Sequence, residues 1–217
     1  NSNTSGPNQK KNRPQTDRTK SGRKKSDLDP QLLVKKASGQ VVEEYKSDRT
    51  FDDLPIHNSL KSALKQKGFE RPTEIQDKSL ETLLDGRDIL GIAQTGTGKT
   101  GAFLIPVIQK LIQNPSRSYA LILVPTRELA TQVTDEFKSM SKGLRLSCSC
   151  FIGGTNINTD LRVARQQTNV LIATPGRLLD LVNRKAIDLR FFHTLILDEF
   201  DRMLDMGFVH DVRKIVH

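Results

Sequence analysis

With 217 residues, 35% of them hydrophobic and none of them tryptophan, the chain is long enough to bury one substantial core and too short for two full domains. Its net charge of +9 is concentrated at one end: residues 1–26 hold eight basic side chains against one acid, Asp17, leaving the remainder near neutral at +2. Bulk charge therefore cannot assign the globular part a nucleic-acid partner, and the absence of any membrane-length apolar run or secretory leader makes the cytoplasm the expected compartment, with no membrane partner.

Taken in chain order, residues 1–26 are Asn, Ser, Thr, Gly, Pro, Lys and Arg with almost no large apolar side chain, a composition that cannot offset its own ordering entropy. A basic, largely disordered extension is expected over 1–48, with a short helix near 32–37, before a globular domain over 49–217. Two helices, 57–67 and 74–84, come first, separated by a Gly-Pro turn. Short runs of Ile, Leu and Val then mark strands at 88–93, 119–124, 146–151, 169–173 and 193–198. Between them, amphipathic stretches at 99–113, 127–142, 157–166 and 176–183 have helical length and period. This alternation predicts an α/β fold, a parallel sheet with helices on both faces. Cys148 and Cys150 alternate with serines in one strand, so they share a face and read as a buried pair; without a further Cys or His cluster, zinc is not expected.

The first expected strand runs into Ala93, Gln94, Thr95, Gly96, Thr97, Gly98, Lys99 and Thr100, with a helix following. That context suits a phosphate-binding loop: glycines let backbone N–H groups face phosphate oxygens, the helix N-terminus favours anions, Lys99 reaches terminal phosphates and Thr100 can ligate Mg²⁺. The last expected strand ends in Asp198, Glu199, Phe200 and Asp201. There Asp198 can hold Mg²⁺ while Glu199 orients and activates the attacking water, a division of labour that two adjacent carboxylates allow. Upstream, a Gln76 carboxamide offers the donor and acceptor that match an adenine edge, and an aromatic such as Phe51 could stack on a base. Taken singly, Phe51 and Phe69 read more often as core residues and Gln76 as a surface helix residue. Pro125, Thr126 and Arg127, and Thr174, Gly176 and Arg177, each follow a strand and open a helix, where free N–H groups, hydroxyls and arginines can receive backbone phosphates; Gly153 and Gly154 permit a close backbone approach. In a parallel sheet the strands' carboxyl ends share one rim, so these groups converge there.

Over roughly 51–217 the chain resembles the first RecA-like domain of the DEAD-box ATP-dependent RNA helicases. The run Gly68 to Gln76, which includes Arg71, is similar to that family's Q motif, Phe51 stands where the family has an isolated upstream aromatic, and the segments at Pro125, Gly153 and Thr174 are similar to its RNA-contacting motifs. The resemblance implies a RecA-like P-loop NTPase fold, ATP and Mg²⁺ as cofactors, RNA as a partner held through its backbone, and Asp201 as a contact between motifs. Two departures stand out. Ala93 replaces the first glycine of the general phosphate-loop pattern, and Phe200 stands where the family's namesake quartet has alanine, so the packing behind it is expected to make room for a ring. The resemblance also implies a second RecA-like domain that closes over RNA and supplies transition-state charge; without it, this chain is expected to bind nucleotide weakly and to show negligible unwinding. Two other readings remain open from sequence: a non-enzymatic RNA-binding scaffold using the basic tail, and a P-loop enzyme acting on DNA or a small substrate.

Overall fold

The computed structural model describes residues 45–114 and 120–216; the basic tail and the short helix expected near 32–37 lie outside them. The elements are α1 (Asn58–Gln66), α2 (Glu74–Leu84), α3 (Lys99–Gln113), β1 (Ala120–Leu123), α4 (Arg127–Met140), β2 (Cys148–Phe151), α5 (Ile157–Ala164), β3 (Val170–Ala173), α6 (Pro175–Asn183), β4 (Thr194–Leu197), α7 (Phe200–Asp205) and α8 (Val209–Val216). Short 3₁₀ turns occupy Phe51–Asp53 and Leu189–Phe191.

All four strands are parallel, in the order β2-β3-β1-β4. Because side chains alternate along a strand, β1 and β3 feed two separate cores. Ala120, Ile122, Val124, Val170 and Ile172 face one, built with Leu60 and Leu64 of α1, Leu80 of α2, Leu104, Ile105 and Ile108 of α3, and Val133 and Phe137 of α4. Leu121, Leu123, Leu171 and Ala173 face the other, with Leu178 and Leu181 of α6, Met203 of α7, and Val212 and Ile215 of α8. Strands buried on both sides explain the uninterrupted apolar runs in the sequence, and the expected α/β architecture with helices on both faces is observed. Cys148 and Cys150 are free thiols, half-buried against the first core. Burial pushes both thiols up from their ordinary values.

The register places the strands' carboxyl ends level. Leu123 lies beside both Ala173 and Leu197, and Phe151 lies beside Ala173. Hydrogen bonds continue the ladder one step further, from the N–H of Val124 to Ala173 O (3.0 Å), of Thr174 to Phe151 O (3.1 Å) and of Asp198 to Leu123 O (3.0 Å).

One expected strand does not form. Residues 88–93 belong to no sheet, and Leu90 and Ile92 are 90% and 92% exposed. A strand needs a neighbouring strand to receive its backbone groups, and among the described residues no strand pairs with this segment. The apolar run was a sound indicator of strand propensity, but pairing is a tertiary property that the run alone does not supply. In the other direction, α7 and α8, unanticipated from the sequence, follow β4, and α8 seals the second core through Val212 and Ile215.

These burials set an expected contrast in denaturant titrations of this chain. Leu104→Ala and Ile122→Ala, at sites with no exposed surface, should each lose about 2–5 kcal/mol, whereas Leu90→Ser and Ile92→Ser should stay within about 0.5 kcal/mol of the parent. A loss above about 2 kcal/mol for Leu90→Ser would show that the 88–93 segment is docked in solution.

Candidate functional site

The site begins with how α2 starts. Thr73 and Gln76 stand in the spacing of a capping box, and the Gln76 carboxamide oxygen accepts the Thr73 N–H at 3.1 Å. This fixes which way the amide points, so its nitrogen is presented to the phosphate loop and donates to Gly98 O at 2.9 Å. Gln76 is only 3% exposed, and the two bonds account for a polar group that would otherwise be costly to bury. The close approach demands glycine on the other side. Gly98 caps α3 with φ of +92°, and a Cβ there would lie 2.6 Å from Thr73 Oγ1 and 2.7 Å from Gln76 Nε2; at Gly101 it would lie 2.6 Å from the same nitrogen.

A cavity of about 330 Å³ opens beside this junction, lined by Gly68, Phe69, Glu70, Arg71, Thr73, Gln76, Gly96 and Gly98. The expected base-side and phosphate-side residues thus meet in one place. Phe51 does not line it: the ring is buried in the first core and stacks on Phe69, centroids 6.1 Å apart, so Phe69 presents the aromatic surface and Phe51 backs it. Within the loop, Lys99 Nζ donates to Ala93 O (2.7 Å) and Thr97 Oγ1 to Gln94 O (2.7 Å), so the lysine is folded back and held at the loop.

Asp198 leaves the end of β4 nearly buried. Burial, then the neighbouring Glu199, pushes its carboxyl above the ordinary value, against the opposing pull of Lys99 and of the Glu199 N–H. The acidic quartet and the phosphate loop therefore share one electrostatic field. Glu199 adopts a left-handed backbone (φ +50°) at the start of α7, and its carboxylate accepts from Arg202 Nη1 at 3.1 Å. Phe200 is more than a third exposed, so the quartet accommodates its ring at the surface and the room expected behind it is not required. Asp201 is exposed, and among the described residues its side chain has no hydrogen bond or ion pair. Of the residues expected to hold a divalent ion, Asp198 offers a carboxylate and Thr100 a hydroxyl. Hard and sparse, such a set fits Mg²⁺, which keeps several waters and takes phosphate oxygens as its other ligands.

Along the same rim, the three segments expected to meet RNA are in contact with one another. Thr126 caps α4, its Oγ1 accepting the Leu129 N–H at 3.2 Å. The next residue, Arg127, lays its guanidinium over the double glycine: a Cβ on Gly154 would collide with Nη1, and Gly154 itself has φ of +83°. Arg177, in α6 behind the buried Thr174 and next to Gly176, turns inward. Its guanidinium pairs with Asp160 and donates to Thr155 Oγ1 (2.9 Å) and Thr155 O (3.0 Å), with both charged side chains only 10% exposed. Arg127 is the exposed cation of the pair, and Arg177 pins the turn that follows the glycines.

Sequence reasoning passed over Phe69 and Glu70 as pocket residues, and over Gly101 and Asp160. Gly101 carried a readable signal, because a glycine inside a helix costs about 1 kcal/mol relative to alanine and asks for a packing reason. Asp160 carried none, since one carboxylate in a polar helix face has no visible partner before folding.

Comparison with known proteins agrees with this geometry. The family model described as DEAD/DEAH box helicase matches residues 73–217. The chain is 45% identical over 170 residues to the ATP-dependent RNA helicase SrmB of Escherichia coli, covering 76% of this chain and 38% of that protein. It is 42% identical over 180 residues to the ATP-dependent rRNA helicase RRP3 of Yarrowia lipolytica, covering 82% and 38%. A solved DEAD box protein from the hyperthermophile Methanococcus jannaschii superimposes with a TM-score of 0.72 at 40% identity, covering 76% of this chain and 46% of that one. The chain thus spans about two fifths of the length of the curated relatives it matches.

Two stability measurements follow from the site. Since the folded value of Asp198 lies above its unfolded value, an unfolded chain releases that proton first as pH rises. The group's contribution is therefore most favourable below about pH 4 and is lost as pH climbs through the folded value, so the shift opposes folding above that range. Asp198→Asn should raise the melting temperature at pH 7 by roughly 2–4 °C, with the gap to the parent narrowing toward pH 4; a lower melting temperature at pH 7 contradicts the assignment. At the rim, Arg177→Ala strands the Asp160 carboxylate and should cost about 3 kcal/mol, while Arg127→Ala should change stability by less than about 0.5 kcal/mol.

Proposed function

We propose, for a chain that belongs to the DEAD-box RNA helicase family as its N-terminal RecA-like domain, that it binds ATP with Mg²⁺ and forms one wall of an ATP-driven machine that locally unwinds RNA duplexes. The observation that carries this reading is the Gln76 bridge, which places a carboxamide between the cavity and the phosphate loop. One Gln76 N–H and one lone pair remain for a base. Adenine, with a donor at N6 and an acceptor at N7, complements them; guanine, with acceptors at both O6 and N7, does not.

On this reading Ala93 to Thr100 cradle the phosphates, and Lys99 exchanges the Ala93 carbonyl for the terminal phosphates. Thr100 and Asp198 would hold Mg²⁺, which when bound neutralises charge on the phosphate oxygens. Glu199 leaves Arg202 to orient and deprotonate the attacking water. Arg71, at the cavity wall, and the Phe69–Phe51 pair frame the base. Thr126, Arg127, Gly153, Gly154 and Gly176 present a hydroxyl, a guanidinium and N–H groups to an RNA backbone, while Pro125 and Thr174, both buried, support the turns that carry them, with Arg177 holding the turn after the glycines and Asp201 communicating between motifs. A second RecA-like domain is the partner that would close the site and supply further positive charge to the transition state. Among the described residues no helix is long and apolar enough to cross a membrane; the cytoplasm is the compartment that this reading assigns.

The test is RNA-stimulated ATP hydrolysis by a protein in which this domain is joined to a second RecA-like domain. Glu199→Gln should lower kcat by about 10²-fold or more and leave the KM for ATP within about twofold, since the change touches proton transfer more than binding. Equal kcat values for the two proteins would remove Glu199 from the chemistry.

A further inference from the structure

One wall of the cavity is held by a segment that does not itself line it. Residues 45–51 lie across α2, and one carboxylate gathers them. Asp77 Oδ2 accepts from Tyr45 Oη (2.5 Å) and Ser47 Oγ (2.7 Å), while Asp77 Oδ1 accepts from Arg49 Nε (3.0 Å) and Nη2 (2.6 Å). Arg49 also pairs with Glu81, one helical turn further along α2. Four donors on one carboxylate favour its charged form, and the Tyr45 hydroxyl first, with Ser47 and Arg49, holds Asp77 below the ordinary carboxylate range against the opposing effect of burial.

From this anchor the strap reaches three consecutive residues of the cavity wall. Ser47 O accepts from Arg71 Nη1 at 2.7 Å, the Phe51 N–H donates to Glu70 O at 3.1 Å, and the Phe51 ring stacks on Phe69. Phe69, Glu70 and Arg71 all line the cavity. Asp77 does not line the cavity itself; it directly follows Gln76 on α2, and its carboxylate is bonded to the strap.

We propose that Asp77 is a positioning residue for the base half of the nucleotide: by clamping residues 45–51 onto α2 it fixes Phe69, Glu70 and Arg71, and so sets affinity for the base without affecting the hold on phosphates. The inference rests on the nucleotide reading of the cavity. A residue that merely stabilises the fold would change both halves alike; Asp77 should change one.

Calorimetric titration of this chain with ATP and with inorganic tripolyphosphate, both with Mg²⁺, separates the two. Asp77→Asn removes the charge and one acceptor and should weaken ATP binding about tenfold, which is about 1.4 kcal/mol, while tripolyphosphate affinity stays within about twofold. Tyr45→Phe, at an exposed position that cannot disturb the core, should give a smaller loss of about two- to threefold in the same pattern and decides the matter should Asp77→Asn not fold. Lys99→Ala should weaken both probes. Unchanged ATP affinity in the Asp77 and Tyr45 variants, with Lys99→Ala still effective, overturns the positioning role and leaves the nucleotide reading standing. Parallel loss of both probes reduces Asp77 to fold support and also overturns it. If Lys99→Ala weakens neither probe, the nucleotide reading falls and the proposal with it.

Discussion

One buried carboxamide joins the two halves of the site, and much of the local sequence exists to let it do so. Gln76 closes the first turn of α2 through Thr73 and opens the phosphate loop's neighbourhood through Gly98. Thr73 fixes the amide's orientation, while Gly98 and Gly101 give it room that a Cβ would take. Because residues 88–93 are not in the sheet, the loop before α3 is located by the packing of α3 and by this bridge more than by the segment that leads into it. An interaction of this kind does two things at once: it satisfies a buried polar group, and it ties the start of α2 to the loop before α3.

The second constraint is the level rim of a parallel sheet. Aligned register at Leu123, Ala173 and Leu197 brings Pro125, Thr174 and Asp198 to one edge, although they are spread over more than 70 residues of chain. Two independent cores hold that rim from opposite sides, one under the nucleotide residues and one under α6, α7 and α8. Charge is then distributed by accessibility. Arg177 is locked to Asp160 inside the rim, Arg127 stays at the surface over the double glycine, and Asp198 is buried enough to feel both Glu199 and Lys99.

Much of this was legible in the sequence. Apolar runs of four to six residues between amphipathic stretches announced a parallel sheet, and four of the five expected strands form; helix 74–84 and helix 99–113 match to the residue because a capping Thr73 and the Gly98-Lys99 turn mark their starts. The glycine-rich loop before α3 and the acidic quartet after β4 stood out in the sequence because they combine particular residue types with the start of a helix or the end of an apolar run. What stayed hidden depends on pairing across the chain. Residues 88–93 look like a strand but have no described neighbour; Phe51 looks like a base-stacking ring but lies behind Phe69; Arg177 looks like a phosphate ligand but has found Asp160; and the Phe200 ring needs no space inside. Asp77 is the extreme case, an ordinary acid on a helix whose role appears only when Tyr45, Ser47 and Arg49 arrive from about 30 residues away.

The Gln76 bridge can be tested directly by the side-chain amide resonances of Gln76 in a ¹⁵N-labelled sample of this chain, assigned by their loss in Gln76→Met. The account predicts one slowly exchanging amide proton before any nucleotide is added, held by Gly98 O, and a shift of the amide pair on adding ATP that tripolyphosphate does not reproduce. Rapid solvent exchange of both protons, with no response to ATP, would contradict it.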